Sequence, residues 1–406
     1  MPRLLFYSQH SLGLGHLVRS LRLAGCLAEH FDVILLNGGR FPGGTRVPDG
    51  ITVLNLPPLG HDAEHRLVSH DPTLPVEQAC AQRRRMLLDV LGETVPAILL
   101  VEMYPFGRKK FEFELIPLLE TATTALGVHA PKVVCSLRDI LVNQRRDQAA
   151  FDERASQRAN RWFDAVLVHA DPAFARLEDS FQPQTPLAMP VHYTGFVAPP
   201  AAWDRDSGPV LPRVLVSSGG GMVGEPLVRA AVGAHGQLHA RTGLRTTVVA
   251  GPFLPEPVWA WLQHEADQSP HLDAVRRVGD LCLEIGRSTV SLSQGGYNTT
   301  MDILRAGTPA VVVPFTEGGE DEQRRRTERL QSLDVLRLLA PEHLDADRLV
   351  PALAGAAAAP PAPLTLNLDG ALATATLLAQ LAGVRPPSGL ATRPAEPAMS
   401  ARGSMR

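Results

Sequence analysis

The chain has 406 residues, which is more than one hydrophobic core usually organises and fits two domains of ordinary size. Hydrophobic residues make up 45% of the sequence and charged residues 20%, the proportions of a globular protein in water. The formal net charge of −3 argues against a surface that binds nucleic acid or an anionic membrane, so small-molecule chemistry is favoured.

The four cysteines are far apart and form no C-x-x-C pair, which indicates free thiols in a reducing compartment. The apolar run after Met1 is very short and glycines follow it, so a secretory signal is not expected. The sequence also lacks an apolar run long enough to span a bilayer. We therefore expect a cytoplasmic protein.

The first half of the sequence alternates strand and helix patterns. It opens with an apolar run at Arg3–Ser8, then a glycine loop, then apolar residues at helical spacing, which predict a strand, a loop and an amphipathic helix. Further strands are predicted at Val33–Leu36, Thr52–Leu54, Ile98–Val101, Lys132–Cys135 and Ala165–Val168, and helices at Val76–Leu91 and Phe111–Ala122. Such alternation is typical of a parallel sheet covered on both faces.

The segment from residue 196 to 212 carries too many prolines for a helix or a strand, so we place a domain linker at residues 199–212. The opening pattern then repeats. The predicted elements are the strand Arg213–Ser217, a glycine loop, the helix Glu225–Leu238, strands at Thr246–Val249, Val290–Leu292 and Ala310–Val313, and a closing helix at Asp369–Leu381. The predicted fold class is α/β, with two Rossmann-like, doubly wound parallel-sheet domains (1–198 and 213–383) facing a cleft, and a disordered tail at 384–406.

The segment Ser291–Phe315 is the most informative, because it predicts a strand, a glycine turn, a short helix, a glycine stop and a buried strand in that order. Gly295 and Gly296 let a ligand approach the backbone, and the helix that follows presents N–H groups to an anion. Asp302, one turn into that helix, is placed to bind ribose hydroxyls. An ordinary strand–turn–helix corner has the same pattern, so a diphosphate site needs support from elsewhere in the chain.

Two segments carry a family resemblance. Gly13-Leu-Gly-His-Leu-Val-Arg19 and the segment Ser291–Phe315 resemble the two-domain GT-B glycosyltransferases, above all glycosyltransferase family 28. The best-known members of that family transfer N-acetylglucosamine from its UDP donor to a lipid-linked muramyl acceptor. Glu102-Met-Tyr-Pro-Phe-Gly-Arg108 and Ser136-Leu-Arg-Asp-Ile140 also look like a bacterial branch of predicted glycosyltransferases. The resemblance implies the GT-B fold and a nucleotide-sugar donor.

The resemblance also implies where the donor binds. The glycine turn would hold the diphosphate, Asp302 the ribose, and Glu322 and Gln323 the sugar. Glu320 and Asp321 stay as alternatives because a one-residue insertion precedes them, and a solvated helix start is the other interpretation of this acidic run. The predicted donor-binding residues are Gly13, Gly15, Arg19, Ser218, Gly219, Gly220, Gly221, Val278, Ser293, Gln294, Gly295, Gly296, Tyr297, Asn298, Thr299, Asp302, Glu322 and Gln323.

His16 is the main catalytic candidate, because it begins the helix after the first glycine loop. A transfer that inverts configuration needs a base for the acceptor hydroxyl, and a helix N-terminus keeps an imidazole neutral and able to accept that proton. Glu102 and Asp139 end predicted strands and either act as the base or orient the histidine. Pairing of these acids with Arg108 or Arg138 is the architectural alternative.

Three other features each have two interpretations. Arg19 lies on the same helix face as His16 and either binds the donor phosphate or pairs with an acid. Three consecutive glycines after Ser218 exceed what a plain turn needs, which favours ligand contact. The histidines and aspartates between His61 and Asp71 look like a metal cluster, but their spacing fits no compact site. We predict no metal and no cofactor besides the nucleotide-diphosphate sugar.

The sequence thus predicts an inverting, metal-independent GT-B glycosyltransferase with a UDP-linked sugar as the expected donor. Its predicted partners are that donor and a small-molecule or lipid-linked acceptor, without nucleic acid. The aromatic and basic residues of 104–111 keep a transient membrane-surface contact open.

The close alternative is a nucleotide-sugar hydrolase of the same fold, in which water replaces the acceptor. A nucleotide-sugar 2-epimerase would be expected to use more acidic residues in the cleft. A regulator that merely binds sugar nucleotides is disfavoured because His16, Glu102, Asp139 and Asp302 occur together.

Overall fold

A computed structural model describes residues 1–10, 15–41, 45–62, 64, 66–125, 127–141, 145–200, 209–316 and 321–384. By its internal contacts the chain divides into two compact units. The first unit is Met1–Val197 with the segment from Asp369 onward, and the second is Ala198–Leu368. None of the helices within the described ranges combines the length and apolar character needed to cross a membrane.

The elements are numbered along the chain. The strands are β1 (Arg3–Ser8), β2 (Asp32–Asn37), β3 (Ile51–Asn55), β4 (Leu59–His61), β5 (Leu67–Ser69), β6 (Ile98–Glu102), β7 (Lys132–Arg138), β8 (Ala165–His169), β9 (Val191–Tyr193), β10 (Leu211–Ser217), β11 (Arg245–Val249), β12 (Leu272–Val275), β13 (Ser288–Gln294), β14 (Ala310–Val313) and β15 (Arg337–Leu338). The α-helices are α1 (Gly15–Leu27), α2 (Val76–Thr94), α3 (Glu112–Glu120), α4 (Gln148–Trp162), α5 (Glu225–Thr242), α6 (Glu256–Asp267), α7 (Leu281–Gly286), α8 (Tyr297–Ala306), α9 (Glu322–Ser332), α10 (Ala346–Ala357) and α11 (Gly370–Leu381).

The first unit is built on a parallel sheet with the strand order β3-β2-β1-β6-β7-β8-β9. Strands β6 and β8 are buried along their whole length, because helices cover both faces of the sheet. The register pairs Ser8 with Asn37 and Glu102 with Ser136, so polar residues from neighbouring strands align at the carboxyl edge. This edge is where α/β sheets place their ligands. A separate antiparallel pair, β4 with β5, was not predicted from the sequence.

The second unit repeats the architecture with the strand order β12-β11-β10-β13-β14-β15, again parallel. Its core is formed by aliphatic residues of the sheet together with α5, α6 and α10. The register aligns Ser217 with both Val249 and Ser293, and Gln294 with Val313. The two glycine segments of this unit therefore leave the sheet at the same edge.

The strands predicted from the sequence are all present, and the structure extends most of them by one or two residues. Helix α11, however, corrects the predicted domain boundary. The sequence placed Asp369–Leu381 in the second domain, but α11 packs in the core of the first unit against Leu17 and Leu21 of α1. The Gly370 N–H also donates to the Phe196 carbonyl at 2.9 Å. An alanine–leucine face predicts that a helix is buried, but not which core buries it. Nearly all of the predicted tail, residues 385–406, lies outside the described residues.

A buried ion pair joins α2 to α3 in the first unit. The Arg83 guanidinium and the Glu114 carboxylate are fully buried and share two hydrogen bonds, from Nε at 2.7 Å and Nη2 at 2.5 Å. The Tyr7 hydroxyl donates to the same carboxylate at 2.6 Å, and Arg83 also donates to the Gly38 carbonyl. Because its donors and acceptors are matched, this pair is an architectural element.

Candidate functional site

The first unit brings together the histidine of the first glycine loop and the acid at the end of β6. His16 is the second residue of α1, and its Nδ1 lies 2.9 Å from Oε1 of Glu102. Glu102 is fully buried, whereas the His16 side chain is 22% exposed. An ionised carboxylate only accepts hydrogen bonds, so Nδ1–H of His16 is the donor. The other ring nitrogen, Nε2, then carries the lone pair and can accept a proton.

Two arginines complete the surroundings of Glu102. Arg19, one turn after His16 on α1, donates from Nη2 to Oε1 at 2.6 Å, and Arg108 lies 3.4 Å from Oε2. The Ser8 hydroxyl is 3.5 Å from the same Oε2 and 2.9 Å from the Ser20 hydroxyl. The Arg19 side chain is 3% exposed, so it is the partner of the acid. This pairing with an acid is one of the two interpretations of Arg19, and its contact to the donor phosphate stays a prediction.

These contacts set the protonation states. Burial lowers the pKa of His16 to about 4, although the Glu102 carboxylate opposes the shift. Burial by itself would raise the pKa of Glu102, but the charge that His16 carries when it is protonated, the charge of Arg19 and the hydrogen bond from His16 hold it below its ordinary value. At neutral pH the pair is therefore a neutral imidazole oriented by a carboxylate, the arrangement of a general base.

The segment after Glu102 has an unusual backbone. Met103 and Arg108 are non-glycine residues with positive φ angles of 66° and 60°. This left-handed region costs free energy for residues with a side chain, and such residues cluster at functional sites. The segment that carries Glu102 and Arg108 is thus held in a strained conformation next to His16.

Of the other predicted site residues in the first unit, the structure describes Asp139 and Gly15 but not Gly13. Asp139 follows β7 and is buried, and the carboxylate that meets His16 is that of Glu102. His10, which lies between β1 and α1, is buried with its Nε2 3.2 Å from the Asn37 side-chain oxygen. Gly15 begins α1. Gly13 lies outside the described residues.

In the second unit the two glycine segments meet. A Cβ on Gly219 would lie 3.7 Å from the Thr299 hydroxyl, and Gln294 Nε2 is 3.5 Å from the Val223 carbonyl. The loop after β10 therefore lies beside the turn between β13 and α8. Val278 follows β12 at the same edge of the sheet and is half-buried.

The three consecutive glycines differ in whether the structure requires a glycine at each position. Gly219 and Gly221 have positive φ angles of 63° and 88°. A Cβ on Gly221 would also lie 2.6 Å from the Ala250 carbonyl oxygen, so this position admits no side chain. Gly220 has ordinary space, with Phe253 at 3.6 Å. The Ser218 hydroxyl is buried and donates to the Ala250 carbonyl, so its side chain holds the loop. Its contact to the donor stays a prediction.

Replacing Gly221 with alanine should lower the free energy of unfolding by about 1–3 kcal/mol, because the new Cβ meets backbone atoms and the φ angle is unfavourable for it. The matched control is Gly220→Ala, which should change it by less than about 0.5 kcal/mol. Urea unfolding of both variants measures the difference. Equal losses at the two positions would show that the close approach at Gly221 does not matter.

The turn between β13 and α8 has the features of an anion site. Gly295 is tightly enclosed, since a Cβ there would lie 3.1 Å from the Thr327 hydroxyl. A Cβ on Gly296, by contrast, would meet no described atom within 4 Å, so there is open space at the start of α8. The Thr300 N–H makes a hydrogen bond to the Gly296 carbonyl at 2.9 Å, and the N–H groups before it lie in the first turn, which has no acceptor within a helix.

The side chains around this turn have different surroundings. Ser293 is buried with its hydroxyl 2.8 Å from that of Ser291, whereas Gln294, Tyr297 and Asn298 are half-buried. Asp302 is 4% exposed and so is not a surface acid of α8. Its contact to the ribose stays a prediction.

The start of α9 meets the same turn. The Gln323 side-chain oxygen accepts from the Phe315 N–H at 3.1 Å and would lie 3.4 Å from a Cβ on Gly295. The Glu322 carboxylate accepts from Nη2 of Arg326 at 2.6 Å, and the Arg326 guanidinium lies 5.2 Å from the Tyr297 ring centroid. Both side chains have partners within the protein, so neither belongs to a solvated helix start, which was the alternative interpretation of this acidic run.

Their contacts to the donor sugar stay predictions. Arg326 was not singled out from the sequence, although the Glu322–Arg326 spacing of four residues is a helix-pair signal. Asp321 is half-buried, with its Oδ2 3.8 Å from Nη1 of Arg325, and Glu320 lies outside the described residues.

No group of three or more histidine, cysteine, aspartate or glutamate side chains within the described ranges has a geometry that could hold a metal ion. His65, part of the histidine-rich segment of the first unit, is not among the described residues. Asp62 in that segment binds Arg66 at 2.7 Å.

Comparison with protein families matches residues 273–376 to the glycosyltransferase family 28 C-terminal domain. The match runs from β12 to α11 and includes the turn between β13 and α8, Asp302 and the start of α9. Comparison with curated protein sequences gives no match.

Solved structures share the fold across nearly the whole chain. The calicheamicin glycosyltransferase CalG4 aligns with a TM-score of 0.57 and 16% identity, over 94% of this chain and 95% of that chain. UGT2 of Phytolacca americana, in complex with UDP-2-fluoro-glucose and pterostilbene, has a TM-score of 0.55 and 16% identity over 94% of each chain. MurG of Acinetobacter baumannii has a TM-score of 0.56 and 14% identity, over 93% of this chain and 100% of that chain.

At these identities the likeness establishes the fold. The chain has the GT-B fold that its sequence predicts. Together with the domain match, this supports a GT-B glycosyltransferase that resembles family 28.

Proposed function

We propose that this GT-B glycosyltransferase moves a sugar from a nucleotide-diphosphate donor, with a UDP-linked sugar as the first candidate, to a small-molecule or lipid-linked acceptor, with inversion and without a metal. The hydrogen bond between His16 and Glu102 is the observation that carries this proposal. It orients a neutral imidazole beside the carboxyl edge of the first sheet, and an inverting transfer needs such a base.

In the proposed reaction, Nε2 of His16 takes the proton of the acceptor hydroxyl. The acceptor oxygen then forms a bond to the anomeric carbon of the donor sugar, while the bond from that carbon to the diphosphate oxygen breaks. The nucleoside diphosphate leaves with the bonding electron pair. Glu102 stabilises the imidazolium that results and keeps the ring in place.

The second unit would hold the donor. The open space at Gly296 and the N-terminus of α8 suit the diphosphate, because backbone N–H groups and the helix dipole stabilise the negative charge that grows on the leaving group. The family resemblance assigns Asp302 to the ribose, since a carboxylate accepts hydrogen bonds from hydroxyls. The UDP-2-fluoro-glucose in the complex of Phytolacca americana UGT2, which shares the fold, supports a UDP-linked donor as the first choice.

The test is to incubate the purified full chain with UDP-, GDP- and dTDP-sugars, first without an acceptor and then with an acceptor extract, and to measure nucleotide release. Slow release that accelerates with the extract is the expected result. Rapid release without an acceptor would favour the hydrolase alternative. Absence of binding with every nucleotide would overturn the proposed activity.

Replacing Asp302 with alanine should weaken the binding of the UDP-sugar about 10–100-fold, as expected for losing hydrogen bonds to a charged group. Turnover at saturating donor should change less, because Asp302 is assigned to binding. Asp302→Asn, which keeps the volume, checks for a folding defect, and Asp273→Ala removes a surface acid of the same unit as a control. Calorimetric titration measures all three, and unchanged donor affinity in Asp302→Ala would contradict the ribose assignment.

A further inference from the structure

The start of α9 carries a buried ion pair that reaches the start of α8. The Arg326 side chain is wholly buried, and its Nη2 donates to Oε1 of Glu322, one turn earlier on the helix, at 2.6 Å. The Glu322 side chain is 9% exposed, so the protein encloses most of it but not all. The Arg326 guanidinium also lies over the ring of Tyr297, the first residue of α8, at 5.2 Å from the ring centroid. The ion pair therefore joins the starts of the two helices.

The same two turns of α9 also contact the glycine turn that precedes α8. A Cβ on Gly295 would lie 3.1 Å from the Thr327 hydroxyl and 3.4 Å from the Gln323 side-chain oxygen. Each of these residues follows a member of the ion pair in sequence. Since Tyr297 comes two residues after Gly295, the ion pair lies beside the turn to which the donor diphosphate is assigned.

The charges of the pair affect what this turn can bind. Arginine stays protonated in proteins, so a buried guanidinium needs a counter-charge, and the Glu322 carboxylate supplies one. A carboxylate without a positive partner would repel the diphosphate of a donor. Paired with Arg326, it can lie near that anion and still accept hydrogen bonds from hydroxyl groups, because an ionised carboxylate has about four acceptor positions on its two oxygens.

We propose that Arg326 is a positioning residue for donor recognition, which holds the Glu322 carboxylate where the sugar hydroxyls of the donor reach it. The inference rests on the proposed function, because it takes the diphosphate to bind at the turn between β13 and α8. The guanidinium is fixed from two sides, by the carboxylate and by the Tyr297 ring. A lysine would keep the charge but not both contacts, since an ammonium has neither the planar face nor the fork of donors.

The test measures the affinity of the full chain for UDP, UDP-glucose and UDP-N-acetylglucosamine by calorimetric titration. The ratio of the UDP-sugar affinity to the UDP affinity isolates what the sugar adds. For the UDP-sugar that wild type binds most tightly, this ratio should fall about tenfold in Arg326→Lys, as expected for a misplaced hydrogen bond to a charged group. Affinity for UDP itself should change by less than about threefold. If wild type prefers a GDP- or dTDP-sugar, that sugar and its free nucleotide take the place of the UDP compounds.

Two variants serve as controls. Arg324→Lys is the matched control, because Arg324 pairs with Glu328 at 2.7 Å with the same four-residue spacing on α9, but both side chains are exposed. It should keep the wild-type ratio. Arg83→Lys alters the buried Arg83–Glu114 pair of the first unit, so it should lower the unfolding temperature and also keep the ratio. A loss of stability by itself is thereby separated from a loss of sugar recognition.

A double-mutant cycle tests whether Arg326 acts through the carboxylate. Once Glu322→Gln has removed the acid, the further change Arg326→Lys should cost little additional sugar-dependent affinity. Additive losses from the two changes would show that Arg326 does not act through Glu322, which would contradict the positioning role.

An unchanged ratio in Arg326→Lys would overturn the role of Arg326 and leave the proposed donor site standing. Failure of wild type to bind any of the nucleotides or nucleotide-sugars would overturn that donor site, and the role of Arg326 with it. Thermal unfolding of each variant detects a folding defect. If Arg326→Lys does not fold, Glu322→Gln/Arg326→Gln, which leaves no charge at the pair, replaces it and should show the same fall in the ratio. A wild-type ratio in that variant would equally contradict the inference.

Discussion

The His16→Ala variant should turn over about 10²–10⁴-fold more slowly than wild type and keep nearly the same nucleotide affinity. The reason is geometric: Nδ1 of His16 is committed to Glu102 at 2.9 Å, so Nε2 is the ring atom left to take a proton from the acceptor. Steady-state rates and a calorimetric titration with the donor nucleotide measure the two quantities. Lost nucleotide affinity with normal turnover would instead make His16 a donor ligand.

The pH dependence of wild-type kcat/KM gives an independent check on the same residue. A base must be neutral to act, so activity should be level at neutral pH and fall as the pH drops through the lowered pKa of His16, which is about 4. Burial is the main cause of that shift. A fall near the ordinary histidine pKa of about 6.5 would contradict the burial of His16. In His16→Ala this low-pH limb should disappear.

The Glu102→Gln variant should lose about 10²–10⁴-fold in kcat and also some folding stability. Catalysis should suffer because the amide no longer holds the imidazole in the tautomer that leaves Nε2 unprotonated, and no longer stabilises the imidazolium. Stability should fall by about 3–5 kcal/mol, because Arg19 stays buried without its counter-charge. Steady-state kinetics and urea unfolding measure the two effects.

The matched control is Glu114→Gln, which also removes a buried carboxylate paired with an arginine in the first unit. Glu114 binds Arg83 and Tyr7 and has no contact with the His16–Glu102 pair, so it should lose stability with little change in kcat for the protein that remains folded. If both variants lose stability but kcat falls in neither, Glu102 is an architectural acid, and the general-base proposal fails.

Much of the fold could be predicted from local sequence alone. Strands such as Arg3–Ser8 and Ala310–Val313 are continuous apolar or β-branched runs between glycine and proline signals, and the structure has both with the predicted bounds. The predicted helix Val76–Leu91 is present and continues to Thr94. The short strands β4, β5, β9, β12 and β15 were missed, because strands of two to four residues show too little of a period for the sequence to reveal them.

The candidate site could be predicted in composition but not in its contacts. His16 and Glu102 were predicted from their positions at the ends of a loop and a strand, but Asp139 was an equally good candidate for the acid. Strand order decided between them, because β6 pairs directly with β1 and so places Glu102 beside the start of α1. In the second unit, Gly221 was predicted to contact the ligand, which stays a prediction, and its close approach to the Ala250 carbonyl is an architectural reason for a glycine that the sequence could not show.

The sequence by itself determined the order of strands and helices, the positions of the glycine turns and the kind of residue at each strand end, because these depend on periodicity and backbone freedom within a few residues. The tertiary structure decided which side chains meet. His16 and Glu102 are 86 positions apart, and Arg19, 83 positions from Glu102, pairs with the same carboxylate. Helix α11 likewise packs in the first unit, although the whole of the second unit lies between it and the rest of the first unit in sequence. Strand order, register and helix packing set the distances between these residues in space, and those distances cannot be read from any short segment of the sequence.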